Sequence, residues 1–144
     1  MLRVAQIRVG TRRSSRSDAT YVVDIRRAGH GRAGSKAGNP FVLTRCDNDR
    51  GRQIVCDAYE ALLEMTMVDP RRMSAAEVAR FGLSMGHVGP TTDWDGPAVR
   101  KEIHHIAAMS RERDVLLVCG CVPRRCHGES IARHADFERR WADL

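Results

Sequence analysis

The sequence predicts a small α/β protein, a Rossmann-like three-layer sandwich with a short, mainly parallel sheet. The strongest observation is a continuous apolar run at 114–119, which is the pattern of a strand covered on both faces in a parallel sheet. Two earlier apolar segments also have strand patterns, and segments of helical spacing lie between them and the late run. Because crossovers of this kind cover a sheet, an α/β sandwich is the expected architecture.

Length and composition limit the classes of protein to consider. The 144 residues suit one domain, spanning 1–144, and 42% hydrophobic residues are enough to build its core. No apolar run reaches the length of about 18 residues that a membrane-spanning helix needs, and the start of the chain lacks a signal peptide pattern. Five cysteines are an odd number, and three of them crowd one loop, so a disulfide framework is not expected. We therefore expect a cytoplasmic protein with reduced thiols.

The first half of the chain predicts two strands, a loop and a helix. Residues 4–9 alternate like a strand, and residues 21–25 form a nearly continuous apolar strand. Residues 28–41 contain four glycines and one proline, which predicts a long irregular loop. Apolar residues recur at helical spacing over about 50–65, which predicts an amphipathic helix in which Cys56 only packs.

The next segment predicts a short helix and an exposed loop. Ser74 and Glu77 have the spacing of a capping box, so a helix is expected from there to about residue 81. Residues 82–96 contain four glycines and a proline, which predicts an exposed excursion. Trp94 within it is expected to be either a lid or a local anchor.

Two further helices are predicted. One opens at a proline and continues to about residue 111, and on it His104 and His105 are expected to have structural or incidental roles. The last spans 128–142, and there His134 and Trp141 are expected to pack.

Arginine dominates the positive charge. The chain has a formal net charge of +6, from 22 arginines and two lysines against 18 carboxylates. Guanidinium groups bind phosphate in a bidentate way, so anionic ligands are plausible, although a GC-rich genome would produce the same bias. No basic stretch carries interleaved aromatic residues, so nucleic-acid binding is permitted but not indicated. Two clusters are candidates for a phosphate path: Arg12, Arg13 and Arg16, and Arg26, Arg27 and Arg32.

The densest chemistry lies in one loop between the late strand and the last predicted helix. Within nine residues the loop brings together Cys119, Cys121, Cys126 and His127. Thiolate sulfur and imidazole nitrogen bind soft metals or attack electrophiles, and α/β proteins usually bind ligands at strand-to-helix turns. This loop is therefore the first candidate for a functional site.

The residues of this loop leave three interpretations open. In the first, Cys126 is a nucleophile or contacts substrate, because His127, Arg124, Arg125 and a helix start would lower its pKa. The same helix amides would also suit a phosphate. In the second, the three cysteines and the histidine form a Cys3His zinc site, although their spacing differs from that of paired C-x2-C knuckles. In the third, the thiols only pack.

Two motifs stand out in the sequence. The first joins the strand and arginines of 21–27 to the S-x-x-G-N-P-F pattern of 35–41. The second is C-x-C-x-P-x-x-C-H-G at 119–128. With these two motifs the sequence resembles a bacterial and phage family, domain of unknown function 4326. The sequence departs from the family pattern in a longer middle segment, about 69–95, and in Gly120, where an aromatic residue is usual.

The resemblance implies a Rossmann-like fold and a single pocket in which the 38–41 turn meets the cysteine loop. Positive side chains there would hold phosphate or carboxylate, and a hydroxyl and an amide would orient the ligand. As the alternative, the asparagine and proline form a rigid turn whose Phe41 plugs the core. The predicted ligand-binding residues are Arg26, Ser35, Lys36, Gly38, Asn39, Cys119, Cys121 and Arg124.

Two functions follow as hypotheses. The first is a small enzyme acting on a nucleotide, nucleoside or nucleic-acid base, with Cys126 and His127 as catalytic residues and arginines holding phosphate. The second is a non-catalytic module that binds a nucleotide or nucleic acid, with an architectural or zinc-bound cysteine loop. The expected partner is a nucleotide-like or other anionic small molecule, with nucleic acid permitted and no membrane. Since the chain has no Walker loop and no G-x-G-x-x-G, nucleotide binding depends on the arginines and on analogy.

Overall fold

A computed structural model of the chain describes residues 5–26, 34–41, 49–86, 89–119 and 126–142. Within these ranges the chain forms five strands and four helices. In chain order they are β1 (Ile7–Gly10), β2 (Tyr21–Asp24), α1 (Asp49–Val68), β3 (Arg72–Met73), α2 (Ala75–Ser84), β4 (Trp94–Asp95), α3 (Gly96–Ser110), β5 (Val115–Val118) and α4 (Gly128–Ala142).

The main sheet has three parallel strands in the order β1-β5-β2. Leu117 of β5 pairs with Val9 on one side and Val23 on the other, so the late strand is central. All four residues of β5 are buried, which confirms the prediction of a covered parallel strand. The mixed α/β class is therefore confirmed, and the Rossmann-like three-layer detail stays a prediction.

The helices bury their apolar faces against one core. Tyr59 and Leu62 of α1 and Ile103 and Ile106 of α3 are fully buried in the same cluster as Leu117. The observed helices agree with the predicted ones and extend α1 and α2 by about one turn. The capping box at the start of α2 is present in both directions.

Two predicted packing roles are confirmed for residues outside the sheet, and a third is wrong. Cys56 and Phe41 are buried, as expected of packing residues. Trp141 is 59% exposed, so its predicted packing is wrong. Its ring instead contacts that of Phe137, itself 55% exposed, with centroids 5.7 Å apart and the ring planes tilted by 56°. Helical spacing placed Trp141 beside the apolar stripe, but the core ends before this last turn of α4.

The segment predicted as an exposed excursion contributes one strand, β4, to a small second sheet. β3 and β4 pair antiparallel, with Met73 opposite Trp94. Trp94 is 2% exposed and its indole Nε1 donates to Thr66 Oγ1 at 2.9 Å. Gly96 packs so closely on the backbone of Arg71 that a side chain would collide with it. Trp94 is therefore a local anchor and not a lid. Among the described residues no helix is both long and apolar enough to cross a bilayer.

Candidate functional site

Three side chains with metal-binding chemistry meet at the carboxyl end of β5. Cys119 follows the strand, and its amide donates to Gly10 O at 2.8 Å, which fixes it beside β1. Cys126 and His127 directly precede α4. One ligand atom from each of the three lies within 4.8 Å of the others. All three residues are buried, with exposures of 3%, 2% and 7%, and the described cysteines are thiols, not disulfides. We call these three residues the Cys–His cluster.

The histidine of the cluster has a defined orientation. His127 Nε2 lies 3.0 Å from Ile25 O, and since a carbonyl oxygen only accepts, Nε2 must carry the hydrogen. The lone pair is then on Nδ1, which lies 3.7 Å from Cys126 Sγ. A histidine that binds a metal usually donates its other N–H to a carbonyl or carboxylate, and His127 has this arrangement.

The start of α4 positions Cys126. Its Sγ accepts the Gly128 amide at 3.3 Å, and a side chain on Gly128 would press on Ile25 and Val9. Glycine therefore lets α4 begin directly against the sheet. The next amides, those of Glu129 and the two residues after it, donate to carbonyls of Cys126 and His127. Because these amides already have partners, the prediction that they hold a phosphate is not supported.

Arg26 is engaged by a carboxylate. Its Nε and Nη2 donate to the two oxygens of Asp24 at 2.8 and 2.5 Å, a bidentate pair. The pKa of Arg26 is raised, chiefly by the hydrogen bonds that it donates to Asp24 and in smaller part by the charges of Asp24 and Cys119. The guanidinium of Arg26 is therefore paired within the protein, and its role in binding phosphate stays a prediction.

Tyr59 joins the cluster to the 35–41 turn. Its ring meets that of His127 edge-on, with centroids 5.1 Å apart, and that of Trp94 at 5.9 Å. Its hydroxyl donates to Ala37 O at 2.7 Å. Burial, and then the charge of Cys126, raises its pKa well above the usual value, so the phenol stays neutral. In the sequence, Tyr59 is one member of the apolar stripe of a predicted helix. No local pattern predicts that it contacts both His127 and the 35–41 turn.

A cleft of about 790 Å³ is lined in part by Trp94, whose ring contacts that of Tyr59. Four of the predicted ligand-binding residues line it: Ser35, Lys36, Gly38 and Asn39. The described lining contains no cysteine or histidine, so the 35–41 turn and the Cys–His cluster contact the same tyrosine without lining this cleft together.

Two of these residues have structural duties. Asn39 Oδ1 accepts from Phe41 N at 2.9 Å, and Asn39 Nδ2 donates to Val55 O at 3.3 Å. Phe41 is buried, so this segment agrees with the alternative prediction of a turn whose phenylalanine packs in the core. Ser35 Oγ accepts the Ala37 amide at 3.1 Å. Lys36 is exposed at the cleft, where it is the predicted cation best placed to meet a ligand. Cys121 and Arg124, also predicted, lie outside the described residues.

A second group with metal-binding chemistry lies between α1 and α4. Glu60, Glu64 and His134 each bring a ligand atom within 4.8 Å of the others. Glu60 Oε1 contacts His134 Nε2 at 3.3 Å and also the guanidinium of Arg133. Burial, and then the charge of Arg133, lowers the pKa of His134. His134, predicted to pack, thus makes a hydrogen bond between two helices, and the ion pair to Glu60 comes from Arg133.

Fold and site together define a small mixed α/β protein with a buried Cys–His cluster whose residues could hold a metal ion. A family model described as Domain of unknown function (DUF4326) matches residues 9–137, and the chain belongs to that family. The resemblance inferred from the two motifs is therefore confirmed. Comparison with curated proteins gave no match, and neither did comparison with solved structures.

Proposed function

We propose that this chain is a metal-fastened binding module for an anionic, nucleotide-like ligand. Cys119, Cys126 and His127 hold one zinc ion, and Cys121 is the fourth ligand that the sequence offers. The ligand occupies the cleft beside the 35–41 turn. The observation that carries the proposal is the orientation of His127, whose Nε2 is bonded to Ile25 O while Nδ1 is directed at Cys126 Sγ.

Distances and ligand types favour zinc. Tetrahedral zinc with Zn–S near 2.3 Å and Zn–N near 2.05 Å separates sulfur and nitrogen by about 3.6 Å, close to the 3.7 Å between Cys126 Sγ and His127 Nδ1. Thiolate and imidazole are the ligands of structural zinc sites, whereas calcium and magnesium prefer oxygen. Burial of the cluster suits a metal that fastens β5 to α4.

The cleft supports the binding role. Its volume of about 790 Å³ is within the range of small-molecule sites. Lys36 and Arg72 contribute positive charge to its lining. Its three carboxylates act within the fold: Asp93 accepts the Ala75 amide, Asp95 accepts the Ala98 amide and Glu77 accepts the Ser74 amide. Arg72 is ion-paired with Asp95, so an anionic ligand would bind chiefly at the exposed Lys36.

Metal analysis tests whether the Cys–His cluster holds a zinc ion. Protein purified without added metal should contain about one zinc per chain, measured by inductively coupled plasma mass spectrometry. Cys119→Ser, Cys126→Ser and His127→Asn should each lower that content, because each removes a ligand. Cys56→Ser is the matched control, since Cys56 is also a buried thiol but lies on α1 outside the cluster. Zinc content that is negligible, or that falls equally in the control, would reject the site.

The two lysines of the chain test the ligand. Lys36 lines the cleft, and Lys101 is exposed on α3, away from it. Calorimetric titration with adenosine monophosphate, and with adenosine as the uncharged comparison, should show weaker nucleotide binding in Lys36→Ala and unchanged binding in Lys101→Ala. Equal binding of the nucleoside, or equal loss in both variants, would contradict an anionic ligand in this cleft.

One observation favours a catalytic thiol as the second candidate. The Gly128 amide donates to Cys126 Sγ at a helix start, an arrangement that stabilises a thiolate. In that case the chain is an enzyme on a nucleotide-like substrate, with Cys126 as nucleophile and His127 as its base. Rapid, selective alkylation of Cys126 by iodoacetamide near neutral pH in metal-free native protein would favour the enzyme. Protection of the thiols until zinc is chelated would favour the metal.

A further inference from the structure

The positive charge of the chain is concentrated at one end of the sequence. Residues 1–40 carry nine lysines and arginines against two carboxylates, whereas residues 41–144 carry fifteen against sixteen. The net charge of +6 therefore comes entirely from the first 40 residues. Such asymmetry indicates a polyanion-binding region more specifically than an even arginine bias does.

Part of this charge forms an ordered arginine segment, which we define as residues 8–16. It comprises the end of β1 and the connection that follows it. Thr11 and Ser14 close a turn, since Thr11 N donates to Ser14 Oγ at 2.9 Å and Ser14 N donates to Thr11 O at 3.1 Å. Gly10 has no room for a side chain beside Ser14, so glycine lets the turn fold tightly onto the end of β1.

The arginines of this segment differ from half of the other arginines in the described part of the chain. Arg12, Arg13 and Arg16 are exposed, and Arg8 is half-buried. Arg8 and Arg16 donate to loop carbonyls, of Ser15 and Arg12 respectively. Among the described residues no carboxylate pairs with any of the four, whereas six other arginines are ion-paired: Arg26, Arg71, Arg72, Arg133, Arg139 and Arg140.

We propose that the arginine segment binds the phosphate backbone of a nucleic-acid duplex. Guanidinium groups that are already held by carbonyls, and not neutralised by carboxylates, suit phosphate contacts. Residues 5–20 contain no aromatic side chain for base stacking and few apolar residues to enter a bilayer. The chemistry therefore fits backbone contact to a duplex better than a stacked single strand or a membrane surface. This inference goes beyond the zinc site and the cleft and depends on neither.

A matched pair of triple variants tests the proposal by fluorescence anisotropy on a duplex of about 20 base pairs. The test variant is Arg12→Ala with Arg13→Ala and Arg16→Ala. The control variant, Arg80→Ala with Lys101→Ala and Arg113→Ala, removes the same charge from exposed positions elsewhere. Circular dichroism melts should show both folded, because all six side chains are exposed.

The salt dependence gives the expected result. Each lost phosphate contact reduces the slope of log K against log salt by about 0.9. Three lost contacts make the affinity of the unchanged protein fall roughly 40-fold further than that of the test variant between about 50 and 200 mM salt. The control should keep the unchanged slope. Replacing the same three arginines by lysine should also keep most of it, because the charge remains.

Four results would overturn the proposal. The first is an unchanged protein that does not bind the duplex. The second is a test variant whose slope equals that of the control. The third is a lysine variant whose slope falls as far as that of the alanine variant. The fourth is binding to anionic phosphatidylserine vesicles, or to a single strand of equal length, that is tighter than binding to the duplex.

Discussion

The substitution Tyr59→Phe removes one hydroxyl group and tests whether the hydrogen bond from Tyr59 to Ala37 stabilises the fold. The phenol donates to Ala37 O at 2.7 Å, and both residues are fully buried. Phenylalanine keeps the ring that meets His127 and Trp94 but removes the donor from a buried carbonyl. An unsatisfied buried group costs about 1–3 kcal/mol, so we expect the free energy of unfolding to fall by that amount. For a chain of this size the melting temperature should fall by about 3–10 °C.

Tyr21→Phe is the matched control for this change. Its hydroxyl contacts His105 Nε2 at 3.0 Å, but in an exposed pair, so the expected loss is within about 0.5 kcal/mol. Urea denaturation of both variants, followed by circular dichroism, gives the two free energies with a common slope. A Tyr59→Phe protein as stable as the Tyr21→Phe protein would refute the reasoning, because the bond would then contribute nothing to joining turn and helix.

Three further changes have expected outcomes. Ser74→Ala removes the capping box with Glu77 and should lower the free energy of unfolding, measured in urea, by about 0.5–2 kcal/mol. An unchanged free energy of unfolding would show that the cap does not stabilise α2. Gly96→Ala forces a methyl group onto the backbone of Arg71, so the melting temperature should fall by several degrees, and an unchanged melt would contradict the close packing. The pKa of His134 is lowered in the fold from 6.5, so the unfolded chain binds the proton more readily and stability is lost as pH falls below 6.5. His134→Gln should flatten that part of the stability curve measured from pH 7 to pH 5, and an unchanged curve would assign the acid sensitivity to other groups.

Periodicity and glycine punctuation were sufficient to predict most of the fold. The run predicted at 114–119 contains the central strand, Val115–Val118, and the last helix has the predicted limits of 128–142. The β3–β4 pair was missed, because two-residue strands are too short to show alternation. The two strands are separated in sequence by α2, and a local sequence pattern cannot predict a contact between such distant segments.

The candidate site, like the fold, can be predicted from the sequence only in part. Residue types and a nine-residue spacing predict the Cys–His cluster from the sequence alone. The engagement of Arg26 by Asp24 and the dual contact of Tyr59 are tertiary facts, fixed by where strands and helices meet. Sequence patterns identify the chemical groups at this site, but they do not show which of these groups already have hydrogen-bond or ion-pair partners within the protein.

The central claim is that the Cys–His cluster is a zinc site, and X-ray absorption at the zinc K edge tests it most directly. Protein carrying one equivalent of zinc should show at least two sulfur ligands near 2.3 Å and one imidazole nitrogen near 2.0 Å. Cys126→Ser should lose one sulfur from that shell, whereas Cys56→Ser should leave it unchanged. A shell of oxygen and nitrogen alone, or one that does not respond to Cys126→Ser, would contradict the claim.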